Sequence, residues 1–449
     1  MKKHILYTTL LALAPVIYSC SDNEGNDMKL PEEAITIAEG LDANGGTLTV
    51  NLTENGIPAG AWQTAVSSNH WLQVSANAEK NQLEINFSEN LWQNDRDAKI
   101  NITGASGTVD LLVSQKSIEF SEDHEYKIPI VFHVLYKDES DEKQYVRPGH
   151  LETILEGVNK YYADNGLPVT FVMAEEDNEG KAMPEKGISR EKISYNDINP
   201  EDFMASGDPK YKEMLWDNDK YINVFIYTYT TDQQYIIGIS QFPIFLEPYS
   251  LDGCTTCPSN GNPYDFPYPH CICINNNYIY EMQKEGENYN NKDITMTLAH
   301  ELGHFLALYH AFNENSSSPK LDTDYCTDTK PYNRNQYMIG LNSWISKNGP
   351  IGPIGSDGYE KNVMRNNSVE PEVFRSTNIM DYAVSDANKF TEQQKERIMY
   401  SLHHSFFLPG PKDFSESPIY QQKSKSVKSG ENTEWASKPN ITKCDTGLH

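Results

Sequence analysis

The chain has 449 residues, of which 38% are hydrophobic and 11% aromatic, and this composition predicts folded domains rather than a disordered chain. That length allows two or three domains, each with its own hydrophobic core. The formal net charge is −27, which excludes nucleic acids and anionic lipid surfaces as expected partners because both would repel the chain.

The first twenty residues have the pattern of a secretory signal. Two lysines precede an apolar stretch from Ile5 to Tyr18, which is too short for a lasting membrane span. The ending at Cys20 resembles a bacterial lipobox, and the acidic residues after it resemble the surface-export signal of Bacteroidetes lipoproteins. This resemblance implies a signal peptide over 1–19, a linker over 20–30, and a lipid on Cys20 that anchors the exported protein to the outer membrane at the cell surface. A conventional signal peptide with a coincidental cysteine is the alternative.

Residues 31–117 read as short strands separated by turns. Alternating segments lie at 47–52, 83–87 and 98–103, a spacing that predicts a small antiparallel β-sandwich. The segment resembles a BACON domain, a module of exported Bacteroidetes proteins. The matching residues are Trp71, Leu72, Val74, Asn94, Arg96, Ala98, Lys99, Ile100, Val113, Ser114 and Gln115. The resemblance implies glycan binding or a spacer role, and the segment carries no catalytic pattern.

Residues 118–410 have a different character. The nearly continuous apolar run at 127–136 predicts a strand buried on both faces. Residues 151–162 have helical apolar spacing, and 169–173 and 221–227 are further predicted strands. This succession of elements predicts an α/β (α+β) layer arrangement, so that the whole chain is a multidomain protein.

Residues 411–449 are predicted to form a polar, weakly ordered tail, with Cys444 as a candidate for fixing it to the domain. Six cysteines follow Cys20, and an even number in an exported protein predicts disulfides. They are Cys254, Cys257, Cys271, Cys273, Cys326 and Cys444. The alternative is a structural zinc held by the first four of them together with His270.

The segment HELGHFLALYH, residues 300–310, has the spacing of a zinc site. On an α-helix, residues four apart differ by about 40° around the axis, so His300 and His304 point the same way. Glu301 lies too far to the side to coordinate the same ion but can reach a water bound to it. Asp293 is the predicted N-cap of this helix. The order of residues therefore predicts metal-assisted hydrolysis.

His310 can join the other two histidines only if the chain leaves the helix before it. On a continuing helix His310 would sit about 240° from His304, on the wrong side. A glycine makes this exit in the metzincin pattern, whereas the corresponding residue here is Ala307. We predict a bend at Ala307, with strain on the order of 1–3 kcal/mol that zinc binding of about 10 kcal/mol or more can offset.

A second signature follows about seventy residues downstream, where NIMDY (378–382) precedes KFTEQQ (389–394). A methionine turn beneath the zinc ligands, with a tyrosine two residues later, is the other half of the metzincin pattern. HELGHFLALYHAF, NIMDY and FTEQQ together resemble the pappalysin family of metzincins. GISQFPIF (238–245) and CICINNNY (271–278) agree, and the resemblance spans roughly residues 125–405.

The resemblance implies a zinc endopeptidase domain of metzincin type that acts on protein or peptide substrates. His300, His304 and His310 are the implied zinc ligands. Three neutral imidazoles leave the zinc its double positive charge, which lowers the pKa of a bound water to about 7. Glu301 is the implied general base for that zinc-activated water and then the general acid for the leaving amine.

The same resemblance implies further roles near the metal. Met380 would form an apolar floor beneath it, and Tyr382 would donate a hydrogen bond to the oxyanion. A structural calcium of relatives would fall at Asp324 and Asp328, although Lys330 interrupts the family's Asp-Thr-Pro sequence here.

Two alternatives remain open. A gluzincin-type peptidase needs a third ligand on a second helix, and Glu314 is too near and lacks a helical context. The other alternative is a catalytically silent surface lipoprotein that binds glycan or protein. Ala307 favours it, whereas the presence of Glu301 with all three histidines opposes it, because a silent domain does not need the base.

Overall fold

The computed structural model describes residues 29–67, 69–92, 94–118, 126–312, 324–381, 383–410 and 434–445. These residues fall into two compact units, one before residue 125 and the other from residue 125 onwards. The signal segment, Cys20 and Tyr382 lie outside the described residues. Within the described ranges, no helix is both long enough and apolar enough to cross a membrane.

The first unit consists of two small β-sheets around one core. Its strands are β1 (Ile35–Leu41), β2 (Gly46–Asn51), β3 (Thr64–Ser67), β4 (Leu72–Asn77), β5 (Gln82–Phe87), β6 (Arg96–Gly104) and β7 (Gly107–Gln115). One sheet has the order β1-β7-β6-β3 and the other β2-β5-β4. Alternate residues such as Ile100, Ile102 and Leu111 are fully buried in the shared core. The three predicted strands are present, but β1 pairs parallel with β7, so the predicted all-antiparallel pairing is wrong there.

The second unit contains eleven of the described strands and seven α-helices. The strands are β8 (Tyr126–Tyr136), β9 (Val169–Met173), β10 (Ile188–Lys192), β11 (Ile222–Tyr227), β12 (Ile236–Gln241), β13 (Ile244–Leu246), β14 (Thr255–Cys257), β15 (Ile272–Asn275), β16 (Met364–Asn366), β17 (Val373–Arg375) and β18 (Ile441–Asp445). The helices are α1 (His150–Asp164), α2 (Pro200–Ala205), α3 (Pro209–Lys212), α4 (Ile294–Phe305), α5 (Arg334–Asn348), α6 (Asp357–Asn362) and α7 (Glu392–His404). Multiple sheets with a few helices make this an α+β protein, as the sequence predicted.

A seven-stranded sheet forms the centre of this unit, in the order β10-β8-β11-β15-β12-β18 with β9 also pairing with β8. The pairs from β10 to β15 are parallel, whereas β12 runs antiparallel to β15 and β18 antiparallel to β12. Every residue of β11 and β12 is buried, as expected for a sheet covered on both faces.

Helices α1 and α4 pack against each other on one face of the sheet. A Cβ added at Gly157 of α1 would lie 2.5 Å from Cγ2 of Thr295 on α4, so only glycine permits this approach. The hydroxyl of Tyr162 donates to the carbonyl of Ala299 at 3.1 Å, which fixes the two helices along their axes. These contacts hold α4, the helix that carries His300 and His304, against α1.

Among the described residues, no disulfide joins any of the six cysteines that follow the signal segment, so the disulfide prediction is wrong. Cys271 and Cys273 share one face of a strand because side chains two apart point the same way. Their sulfur atoms are 4.0 Å apart and contact Met204, whereas a disulfide requires about 2.05 Å. The described residues also form no second metal-binding group of cysteine, histidine or acidic side chains, which excludes the alternative zinc site there.

Part of the predicted polar tail belongs to the folded unit. Residues 441–445 form β18, and Ala436 is buried in a core cluster that Trp435 packs against. The ring of Trp435 stacks on Phe266 at a centroid distance of 6.1 Å. These apolar residues are few among polar neighbours, which is why composition alone indicated weak order.

Candidate metal centre

Helix α4 places two histidines one turn apart on the same side. Its start is fixed by the predicted N-cap, because a carboxylate oxygen of Asp293 accepts the backbone N–H of Met296 at 2.8 Å. His300 and His304 are both buried, with relative exposures of 2% and 0%. Their Nε2 atoms lie 2.9 Å apart, as the four-residue spacing predicts.

The predicted bend is present at Ala307, whose φ of 75° lies in the left-handed region. The N–H of Ala307 donates to the carbonyl of His304, and the N–H of Leu308 donates to that of Gly303, both at 2.9 Å. These two bonds form a Schellman motif, the usual way of ending a helix with one left-handed residue. The motif turns the chain back soon enough for His310 to approach His300 and His304.

His310 completes a group of three histidines. Its Nε2 atom lies 3.2 Å from that of His304, and ligand nitrogens of all three rings lie within 4.8 Å of one another. The imidazole of His310 stacks on Phe312 with a centroid distance of 4.6 Å and an interplanar angle of 12°. The structure thus brings together the three residues that the sequence predicted as ligands.

The hydrogen bonds of the first two histidines determine which ring nitrogen carries the proton. Nδ1 of His300 donates to the carbonyl of Ile379 at 2.8 Å, and Nδ1 of His304 donates to that of Leu308 at 2.7 Å. In neutral rings each of these two Nε2 atoms therefore carries a lone pair. Two lone pairs at this short distance repel each other, and a cation between them relieves the repulsion. Burial, followed by the charges of His300 and His310, lowers the pKa of His304 well below its ordinary value, so this ring stays neutral. Together with the ring of His310, whose pKa burial also lowers, these two nitrogens fit Zn²⁺.

Glu301 is completely buried beside the three histidines. Among the described residues, neither of its carboxylate oxygens has a hydrogen-bond partner. A Cβ added at Gly238 on β12 would lie 2.6 Å from Oε1 of Glu301, so this glycine makes room for the carboxylate. Burial raises the pKa of Glu301 well above its ordinary value. A buried carboxylate without a partner is costly, which indicates a group that binds cation and water rather than a structural core residue.

The methionine turn, residues 378–381, lies against the three-histidine group. The carbonyl of Ile379 accepts the bond from His300, and the carbonyl of Met380 accepts the N–H of Ala311 at 3.0 Å. A Cβ added at Gly303 would lie 2.5 Å from Sδ of Met380, so the glycine of HELGH is required for this contact. Met380 is fully buried, and its thioether fills the space under the helix.

A buried ion pair that the sequence did not predict holds Asp381, the residue after Met380. The guanidinium of Arg365 lies 3.2 Å from the carboxylate of Asp381, and their side chains are 0% and 3% exposed. The hydroxyl of Tyr332 donates to Asp381 at 2.5 Å, and Ser376 donates to its other oxygen. Arg365 also lies over the ring of Tyr337, 3.7 Å from its centroid. No local spacing could have indicated this pair, because its members lie in different elements.

Ala307 offers a direct test of the bend. An L residue at this φ costs about 1–2 kcal/mol relative to glycine, and a β-branched residue costs more. We expect Ala307→Gly to keep metal binding and to raise the free energy of unfolding, because glycine relieves the strain at this φ. The gain should not exceed about 1 kcal/mol, because glycine also increases the entropy of the unfolded chain. Ala307→Val should destabilise the protein by more than about 2 kcal/mol and weaken metal binding. Chemical denaturation and metal titration measure both effects; equal stability of the two variants would contradict the bend.

Asp324 and Asp328 form no group with a third histidine, cysteine or acidic side chain among the described residues, and the calcium site stays a prediction. A carboxylate oxygen of Asp324 accepts the N–H of Cys326, and one of Asp328 accepts that of Gln393, each at 3.0 Å. Within the described ranges, the three histidines are the only set of three or more histidine, cysteine or acidic side chains close enough to share an ion. Asp324 therefore accepts within a local turn, whereas Asp328 accepts from the first turn of helix α7.

Comparisons with known proteins agree with this centre. Residues 206–403 match the family model Peptidase_M43, described as pregnancy-associated plasma protein-A, which supports a metallopeptidase of that family. Such a family implies zinc and a protein or peptide substrate. No curated protein matches the chain.

Solved structures add little. A protein from Bacteroides thetaiotaomicron is 14% identical with a TM-score of 0.15, and the match covers 23% of this chain and 98% of that one. The endo-fucoidan hydrolase MfFcnA9 is 12% identical with a TM-score of 0.15, and the match covers 24% of this chain and 20% of the hydrolase. At these TM-scores neither likeness bears on the fold or the function.

Proposed function

We propose that this chain is a zinc-dependent endopeptidase in which His300, His304 and His310 bind the metal and Glu301 is the general base and then the general acid. The family match over residues 206–403 supports a metallopeptidase. One observation carries the finer assignment. Three imidazole nitrogens converge beside a buried carboxylate that has no hydrogen-bond partner among the described residues.

The roles of the protein groups follow from their chemistry. Zinc, when bound, acts as a Lewis acid towards the scissile carbonyl and lowers the pKa of water to about 7. The carbonyls of Ile379 and Leu308 orient two of the imidazoles towards it. Glu301 would accept the proton of the attacking water and pass it to the leaving amine nitrogen.

The position of β12 suggests how a substrate binds. Extended peptides bind to a sheet edge by adding a strand, with backbone hydrogen bonds giving affinity. Gly238 on β12 lies against the carboxylate of Glu301, so a peptide that takes the place of β18 beside this strand would pass the proposed base. Tyr382 follows the methionine turn and lies outside the described residues. We propose it as the hydrogen-bond donor to the oxyanion that develops on the substrate.

The remaining proposals concern location and the first unit. We propose that Cys20 carries a lipid that anchors the exported chain to the outer membrane, and that the unit before residue 125 binds glycan or acts as a spacer. Both rest on the sequence. Mass spectrometry of the mature N-terminus tests the first, and a glycan array with the isolated unit tests the second.

Zinc content and cleavage together test the proposed function. We expect about one zinc per chain and cleavage of a denatured protein that a chelator abolishes and added zinc restores. His310→Ala should lose both, whereas the control His270→Ala should keep both, because His270 is buried outside the three-histidine group. Bound zinc without cleavage of any peptide in a broad library would favour the alternative, a catalytically silent binding protein.

A further inference from the structure

β18 covers the edge of the sheet at which a substrate of the proposed endopeptidase would bind. It pairs antiparallel with β12, with Ile239 opposite Lys443 and Ser240 opposite Thr442. The N–H of Phe242 donates to the carbonyl of Asn440 at 2.8 Å, which extends the pairing beyond the strand. The edge of β12 is therefore already occupied by the chain's own C-terminal segment.

The pairing places Cys444 at the proposed base. Cys444 lies opposite Gly238, and residues directly opposite in an antiparallel pair project on the same face of the sheet. The missing side chain of Gly238 would point at the carboxylate of Glu301, and the thiol of Cys444 projects on the same face of the sheet from the neighbouring strand. Burial and the charge of Glu301 raise the pKa of this thiol well above its ordinary value, which agrees with that proximity.

The segment is anchored on both sides of this point. Before it, the side-chain amide of Asn440 donates to the carbonyl of Gly253 at 2.8 Å, and Lys443 forms an ion pair with Glu201. After it, Asp445 forms an ion pair with Arg334 at 2.8 Å, with the two side chains only about one fifth exposed. Arg334 lies over the ring of Phe312, 5.6 Å from its centroid, and that ring stacks on His310. Residues 440–445 thus cross the metal centre from one side to the other.

We propose that residues 440–445 act as an internal pseudosubstrate that keeps the endopeptidase latent. This inference rests on the proposed function. The segment takes the extended, antiparallel course of a bound peptide, contacts the edge strand that a substrate needs, and brings a thiol to the general base. A tethered segment competes at an effective concentration in the millimolar range, so a free peptide cannot displace it easily. Release of the C-terminal segment would open the site.

A shortened chain tests the proposal. A stop codon at Pro439 removes the segment but keeps Trp435 and Ala436, which pack in the core. We expect this chain to cleave peptides at least about tenfold faster than the full chain, because the tethered competitor is gone. The variant Lys443→Glu with Asp445→Arg breaks both ion pairs in the full-length chain and should also raise the rate. It keeps the proposal testable if the shortened chain does not fold.

Binding measured without turnover separates the pseudosubstrate from the proposed function. A fluorescent peptide of residues 439–449 is added to the shortened chain carrying Glu301→Gln, and anisotropy is recorded. We expect binding there, no binding to the full-length Glu301→Gln chain, and at least about tenfold weaker binding of the peptide with Asp445→Arg. No binding, together with unchanged turnover on shortening, would make β18 a structural strand and overturn the proposal. Peptide binding without cleavage by either active chain would contradict the peptidase and leave the docking of the segment in place.

Discussion

Replacing Glu301 with glutamine should leave zinc bound and lower peptide turnover by about 10³-fold, the size of effect expected when a general base is removed. Glutamine has nearly the same shape, so it should fit the space that Gly238 provides. It cannot take a proton from water at neutral pH, so only the metal contribution to the rate remains. Metal analysis and steady-state kinetics on a peptide substrate measure the two quantities.

The control for this variant is Glu156→Gln on α1, which removes an exposed carboxylate and should leave turnover unchanged. A Glu301→Gln protein that binds zinc and retains more than about one tenth of the wild-type turnover would exclude Glu301 as the base. Loss of zinc would instead show that the carboxylate holds the metal. The shortened chain that lacks the segment 440–445 gives the clearest readout, because its wild-type rate is expected to be higher.

The same substitution should change how stability depends on pH in the metal-free protein. Burial raises the pKa of Glu301 in the folded state above its unfolded value. The folded state then binds the Glu301 proton more tightly than the unfolded state does. The stabilisation that this proton gives is complete below about pH 4 and is lost as pH rises towards the folded pKa. Glu301→Gln removes that loss. In the presence of chelator we expect the variant to be more stable than the wild type at pH 7, with a smaller difference at pH 4; denaturant titrations at the two values measure it.

The second large effect is expected at the buried ion pair beneath the methionine turn. Arg365→Met should destabilise the protein by about 3–5 kcal/mol, because it leaves the carboxylate of Asp381 buried without its cation. Asp381 directly follows Met380, so the loss should also loosen the turn whose carbonyl orients His300. Chemical denaturation measures the stability, and zinc affinity reports the effect on the centre.

A surface ion pair provides the matched control. Lys330 and Glu372 are 2.6 Å apart, but their side chains are 48% and 40% exposed. Lys330→Met should cost less than about 1 kcal/mol, since water screens and solvates exposed charges. Adding Asp381→Asn to Arg365→Met should recover part of the loss because the unpaired charge is then absent. If Arg365→Met and Lys330→Met lowered the free energy of unfolding equally, the buried pair would contribute no more to stability than the exposed one.

The sequence determined the features that depend on contiguous backbone geometry. Helical periodicity brings His300 and His304 together, Asp293 caps the helix, and position 307 is where the chain must turn. Apolar runs also predicted β8, β9 and β11, because a strand buried on both faces needs them. These predictions succeeded since the interacting residues lie within a few turns or one strand of each other.

The tertiary structure decided what depends on pairings between distant segments. No local pattern indicates that Gly238 receives the carboxylate of Glu301, that Arg365 pairs with Asp381, or that Cys444 lies opposite Gly238. The disulfide prediction was wrong for the same reason, because a count of cysteines does not specify which sulfur atoms approach one another. Sheet order and helix packing set those distances, and they arise from the burial of the whole core rather than from any short stretch of the chain.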